Sequence, residues 1–357
     1  MGSVDAEVAV GLSARVTDAL RSFLAARRDE LVAIGTELAP IGEQLTSFLL
    51  EGGKRLRPAF AYWGWRGAGG TDSDDAVYAV AALELVQASA LIHDDLMDGS
   101  DTRRGQPSIH RRFERLHRES GWQGPPAAFG SAAAILLGDL CLTWADQMLF
   151  GSGLPTDALG RAKPVYDTMR TELMSGQYLD VLGQVRDHHS VAWSLRVARQ
   201  KSARYTIERP LHLGGALAGA STGLLASYSG YGLPLGEAFQ LRDDILGVFG
   251  DPLVTGKPAG DDLREGKRTV LIALTLERAS TAQARVVLER LGDAGLDDAG
   301  VAVMREIIAE TGALVETERM IAARAAEAVR AIEGAEVVGE ARGALRDLAE
   351  AATSRTV

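Results

Sequence analysis

Apolar residues recur at helical spacing through nearly all of this 357-residue chain, and no stretch alternates convincingly in the two-residue rhythm of a strand. That property restricts the fold to packed helices. Residues 75–97 carry neither glycine nor proline and predict one long helix. Residues 13–49 read as one or two amphipathic helices broken near Pro40; Gly52-Gly53 ends them, and Pro58 suits a new start. Beyond a Gly/Pro-rich segment from Gly121 to Pro126, further helices are expected at 127–150, 159–182, 191–208, 235–249, 268–278, 280–292, 299–311 and 314–352. The expected architecture is all-α: a single large helical bundle over residues 13–357 around a central cavity, with residues 1–12 as a loose leader. Bundles place metal and ligand sites between facing helices.

Charge narrows the partners. A formal net charge of -10 argues against nucleic acid, whose binders present a basic face. The cations that exist are local, at Lys54-Arg55-Leu56-Arg57, Arg103-Arg104 and Arg111-Arg112, which suits a small anionic ligand. Cys141 is the only cysteine, so an intrachain disulfide and a cysteine-based zinc site are excluded. The first ten residues include Asp5 and Glu7 and lack the pattern of a signal peptide. Residues 210–236 hold no charged side chain, long enough to suggest a membrane span. Their glycines, Pro210 and Pro234 favour a close-packed buried helix followed by a loop. No transmembrane segment is expected, and the location expected is cytoplasmic.

Two acidic clusters, Asp94-Asp95-Leu96-Met97-Asp98 and Asp243-Asp244-Ile245-Leu246-Gly247, each end an apolar helical run. Carboxylates this crowded repel one another and raise each other's pKa unless a cation neutralises them. On a helix Asp94 and Asp98 share a face, one turn apart, while Asp95 sits about 100° round. Such a pair can chelate magnesium, a hard cation that keeps waters for phosphates to replace. An acidic helix end in water is the plainer reading, but Leu91-Ile92 and Leu96-Met97 give this one apolar company. Gln240, Asp243, Asp244 and Gly247 also share one stripe. With glycine at the i+4 position this half chelates more weakly, through Asp243, with Asp244 holding metal-bound water. The economical reading is two acidic walls facing each other across a cavity, holding divalent metal that in turn holds a polyphosphate.

Cations accompany each cluster. Gly52 to Pro58 puts Lys54, Arg55 and Arg57 beside flexible glycines at a helix start, where backbone N–H groups and bidentate guanidinium favour phosphate. Arg103 and Arg104 follow Asp98 closely enough to share one diphosphate with a metal. Beyond the second cluster come Lys257, pinned between Gly256 and Pro258, then Asp261-Asp262 and Lys267-Arg268. Solvated basic loops are the plainer reading of each.

In this order the motifs resemble those of the trans-isoprenyl diphosphate synthases, the polyprenyl synthetases, over roughly residues 20–350. Gly52 to Pro58, with Gly53, Lys54 and Arg57, matches that family's glycine-lysine-arginine signature. Asp94, Asp95, Asp98, Arg103 and Arg104 match its first aspartate-rich motif, and Gln240, Asp243, Asp244 and Lys257 its second. Lys201-Ser202 matches a lysine-hydroxyl pair, and Gln177 with Asp180 a Gln-x-x-Asp pattern. Gly247 departs from it, standing where many members carry a third aspartate.

The resemblance implies an isoprenoid synthase-like fold, a homodimer, and head-to-tail chain elongation of an allylic diphosphate (dimethylallyl, geranyl or farnesyl) by isopentenyl diphosphate. It implies three Mg²⁺ ions on the two motifs. Isopentenyl diphosphate would sit on Lys54, Arg57, Gln87 and Arg104, and the allylic diphosphate on Arg103, Lys201, Lys257 and Lys267. Gln177 and the Lys201 carbonyl would steady the allylic cation. The helix ending at Asp94 would line the growing chain. Upstream of Asp94 stand Ala90 and Ser89, then Val86 and Ala82, none a large obstruction. Five residues of helix span about 7.5 Å, so the expected product is C20, geranylgeranyl diphosphate, with farnesyl and longer products as alternatives. Close helix packing also explains small residues there. Two rivals differ in class: a terpene cyclase, which needs another second motif, and a catalytically silent partner subunit, which would lose part of the clamps retained here.

Overall fold

The structure, a computed structural model, describes residues 4–186, 190–251, 260–293 and 295–353, with side chains from residue 11 onward. It is all-α, apart from one antiparallel hairpin that pairs Thr102–Arg103 (β1) with Gln106–Pro107 (β2). The chain groups into two compact units. The first comprises residues 1–62 and 70–159, the second residues 63–69 and 160–357.

In the first unit α1 (Val4–Ile34) is followed by a 3₁₀ turn at Thr36–Leu38 and α2 (Ala39–Leu50). The helix thus begins inside the stretch expected as a leader. After α3 (Leu56–Gly67) comes α4 (Asp74–Met97), capped by the Ser73 side chain, which accepts from the Ala76 N–H. Asp74 and Asp75 in its first turn complement the helix dipole. From Ala76 to Ile92 most α4 residues are buried. α5 (Ile109–Glu119), absent from the expected helices, and α6 (Pro126–Phe150) pack beside it. At Gly138 of α6 a Cβ would overlap the His93 ring, so glycine lets the helices meet. Both α4 and α6 are long and apolar enough to cross a membrane, but 72% of the α4 window is buried inside the fold, against 39% for α6.

The second unit continues through α7 (Thr156–Val185) and α8 (Val191–Ala198), then a π-helical stretch from Arg199 to Glu208 and α9 (Arg209–Ala218). α10 (Thr222–Phe249) follows, then α11 (Asp261–Arg264), α12 (Val270–Arg278), α13 (Thr281–Arg290), α14 (Asp298–Glu310), α15 (Ala313–Glu333) and α16 (Gly339–Thr353). Three sequence expectations change here. The loop expected before residue 235 is confined to residues 219–221, after the buried α9: α10 runs through Pro234, which is buried inside it. Proline there forfeits a backbone hydrogen bond, but the helix is held along its length by α15 and the π stretch. Expected helix 191–208 ends in π geometry and runs on into α9. Expected helix 314–352 is two, parted after Gly334, with the Val338 N–H donating to the Gly67 carbonyl at 3.3 Å.

The uncharged run 210–236 earns its glycines. A Cβ at Gly232 would press on the backbone of Glu208, and one at Gly236 on that of Ala203. On the other side Gly176 of α7 meets the backbone of Lys201. Glycines on two helices thus let the π stretch pack backbone to backbone.

Candidate active site

The first acidic cluster closes α4. Asp94 and Asp95 lie in its last turn, and Asp98 caps it by donating its N–H to the Asp94 carbonyl at 2.8 Å. Asp95 is 0% exposed. Its Oδ1 accepts from Arg103 Nε at 2.9 Å and from a second nitrogen of the same guanidinium, which also lies 3.9 Å from Asp94. The β1–β2 hairpin, with its turn at Arg104 and Gly105, returns Arg103 to the motif. A buried carboxylate needs such a partner, because an unpaired charge in low dielectric is strongly destabilising.

Arg104, at φ 54°, turns the other way. Its guanidinium lies 3.4 Å from both the Phe48 and Glu51 carbonyls and 5.9 Å from the Phe48 ring centre. A Cβ on Gly53, itself at φ 99°, would touch it at 3.4 Å. Glycine there lets the loop before α3 close over Arg104. Burial lowers the Arg104 pKa; Arg55, Arg103 and Arg57 push the same way and Glu84 opposes them. The Gly52–Pro58 loop and the hairpin therefore contribute to one electropositive patch. Lys54 is exposed on it, and Arg57 and Gln87 are half-buried.

Arg55 is a correction to the phosphate-clamp reading. It is buried, donating to Glu84 of α4 at 2.6 Å and to the Leu49 carbonyl at 2.7 Å, so it anchors the loop. Glu84 went unremarked in the sequence. Its signal is there: it is the one acidic residue of α4 between Asp75 and Asp94. Along α4, Ser89, Val86 and Ala82 are buried and Ala90 half-buried.

In the second unit α10 carries Gln240, Asp243 and Asp244 on one stripe. Asp244 is 4% exposed and accepts from Gln240 Nε2 at 2.8 Å. Burial raises its carboxyl to about 7; the Gln240 hydrogen bond opposes this, Asp262 and Asp243 add to it, and Lys267 counters it. Lys267 lies near this cluster, with Nζ 3.1 Å from Asp262 and 2.5 Å from Glu265. On the π stretch Lys201 Nζ donates to Asp180 of α7 at 2.7 Å, so the lysine-hydroxyl pair meets the Gln-x-x-Asp pattern. Ser202 is buried and Gln177 half-buried. Lys257 lies outside the described residues.

Magnesium fits these residues chemically. The donors are carboxylate oxygens, one pair a helical turn apart, and the other set includes Asp244, which burial first, and then Asp262 and Asp243, drive toward the neutral form. Among the described residues no three acid, imidazole or thiol groups close a cage. Magnesium takes one or two carboxylates and leaves its remaining positions to water and substrate phosphates.

Comparison with known proteins agrees. A geranylgeranyl pyrophosphate synthase of Corynebacterium glutamicum, solved in complex with isoprenyl diphosphate and magnesium, has 44% sequence identity and a TM-score of 0.93, over 96% of this chain and 98% of that one. Among curated sequences, the geranylfarnesyl diphosphate synthase of Aeropyrum pernix is 33% identical over 74% of this chain and 77% of its own length. Heptaprenyl diphosphate synthase component 2 of Geobacillus stearothermophilus is 32% identical over 92% of this chain and 95% of its own length. The polyprenyl synthetase profile matches residues 39–310, and the chain belongs to that family.

Proposed function

We propose that this protein condenses isopentenyl diphosphate head-to-tail with an allylic diphosphate, releases diphosphate, and stops chiefly at C20. Family membership supports the reaction class. The observation that carries the site assignment is the patch at the end of α4, where Asp94, Asp95 and Asp98 share one corner with Arg103, Arg104 and the glycine loop. Asp94, Asp95 and Asp98 would hold magnesium from the first motif, Asp243 and Asp244 from the second, with three ions bound in all. Magnesium neutralises diphosphate and stabilises it as a leaving group.

Arg103, Lys201 and Lys267, with Lys257, hold the allylic diphosphate. Gly53, Lys54, Arg57, Gln87 and Arg104 hold isopentenyl diphosphate. Binding both esters aligns the allylic carbon with the attacking double bond, removing orientational entropy from the barrier. The allylic C–O bond breaks and its electron pair leaves with diphosphate. The isopentenyl double bond then joins the allylic carbon, and a proton passes to the departing diphosphate, so no side chain need act as base. Gln177 and the Lys201 carbonyl steady the allylic cation, and Ser202 and Gln240 help hold the substrate. Small residues at Ala90, Ser89, Val86 and Ala82 leave length for a C20 chain.

Residues 13–357 work as one catalytic domain, in a cytoplasmic homodimer. The apolar outer face of α6, with Ile135 and Leu136 49% and 65% exposed, supports the dimer. The test supplies purified protein, Mg²⁺ and radiolabelled isopentenyl diphosphate with each allylic primer in turn. Label in a C20 product supports the proposal. No incorporation with any primer points to a silent subunit, and cyclic hydrocarbon formed without isopentenyl diphosphate to a cyclase.

A further inference from the structure

One stripe of α7, made of Glu172, Gly176 and Asp180 at i, i+4 and i+8, meets the π stretch and the residue that follows it. At one end Asp180 accepts from Lys201 Nζ at 2.7 Å. In the middle a Cβ on Gly176 would overlap the Lys201 backbone. At the other end Glu172, with 16% of its side chain exposed, takes two guanidinium groups. Arg209 Nε donates to its Oε2 and Arg209 Nη2 to its Oε1, both at 2.7 Å, as a bidentate fork, and Arg204 shares Oε1. Burial acts to raise the Glu172 pKa, but Arg209 and then Arg204 outweigh it and hold the carboxyl below its ordinary value.

A π-helical run of 10 residues is long for a geometry that usually lasts a single turn, so its surroundings must hold it. A one-residue change of register between Lys201 and Arg204 swings one side chain about 100° round the axis relative to the other. The contact at Gly176 sets how near the stretch lies to α7, but it carries no charge with which to choose a register. The fork at Glu172 does. We infer that Glu172 is a positioning residue for chain elongation: by holding Arg204 and Arg209 against α7 it keeps the π stretch in the register that presents the Lys201 amino group to the allylic diphosphate. This rests on the reading above, in which Lys201 holds that diphosphate. Glu172 acts on the substrate only through Lys201.

The test compares steady-state kinetics of purified full-chain variants given Mg²⁺, isopentenyl diphosphate and an allylic primer. Glu172→Gln keeps the shape of the side chain and loses its charge. It is expected to lower kcat/KM for the primer by about 10²-fold, the scale of an ångström-sized misplacement, while KM for isopentenyl diphosphate stays within about twofold. Arg204→Gln breaks only the tie made from within the stretch and leaves the Arg209 fork. It should move the same parameter by about tenfold, and it carries the test if Glu172→Gln does not fold. In a Lys201→Ala background Glu172→Gln should add less than about threefold, because both changes act on one amino group, whereas independent effects would multiply. Equal rises in the two KM values, effects that multiply in the double variant, or wild-type kinetics in both single variants would overturn the inference. A wild type that elongates no primer refutes the reading of the site, and the inference falls with it.

Discussion

The two acidic motifs use the same residue type in opposite electrostatic settings. At the end of α4, Asp95 is buried and held by Arg103, so the protein itself supplies countercharge. On α10, Asp244 is also buried, accepts a neutral hydrogen bond from Gln240, and is acted on by Asp262 and Asp243, with Lys267 countering them. Its carboxyl is consequently raised to about 7, and burial is the main cause. Identical letters in the sequence thus produce one neutralised cluster and one that favours an added cation or proton. The first motif is organised before substrate arrives. The second depends on what binds it.

The largest effects should fall on activity, where the two motifs behave alike. Asp94→Ala and Asp243→Ala are each expected to lower kcat/KM for isopentenyl diphosphate by about 10³-fold or more, since each removes a ligand that neutralises the leaving group. If one variant keeps near wild-type turnover, that motif is not a metal motif.

Stability should then separate them. Arg103→Ala removes a charged partner of the buried Asp95, costing about 2–3 kcal/mol in metal-free denaturation; this is discounted because Arg103 itself is 17% exposed. Asp244→Asn should instead stabilise the metal-free protein at pH 8, by about 1–2 kcal/mol, because it removes a repelled buried charge and keeps a Gln240 contact. A loss of stability in both variants would abolish the contrast.

The pH dependence of metal-free stability carries the same sign. Folding raises the Asp244 pKa to about 7, above the usual carboxylate range. Between about pH 4 and pH 7 the folded state therefore binds a proton that the unfolded state has released. Stability from this group is present at low pH and declines as pH rises through that window. Asp244→Asn should flatten that part of the melting-temperature profile, and saturating Mg²⁺ should flatten it in the wild type. A smaller effect, on product distribution, tests the chain-length assignment. Ser89→Phe should shift the product below C20 while leaving metal-free stability of both motifs in the same order, and an unchanged product would remove Ser89 from the chain-length wall.

The helices were legible because apolar spacing acts locally, and Ser73 ahead of α4 caps as such residues do. The first motif was legible too, since Asp94 and Asp98 are one turn apart on a single helix. What escaped depends on contacts remote in sequence. Nothing local distinguishes Arg55 from Lys54 or Arg57; only the position of Glu84, 29 residues on, turns Arg55 inward. The close packing of the π stretch around Lys201 depends on glycines at 176, 232 and 236 on other helices. Pro234 counted toward a loop because proline's local effect is strong, whereas tertiary packing holds α10 together through it. Asp262 looked like part of a solvated loop until its carboxylate was found against Gly247.

The most direct test of the account is the stoichiometry of diphosphate release in the presence of Mg²⁺. Purified protein given a labelled allylic diphosphate and isopentenyl diphosphate should release one diphosphate for each isopentenyl unit incorporated, and chelation of the metal should stop both together. Diphosphate release that continues without isopentenyl diphosphate, or incorporation undiminished by chelation, would contradict it.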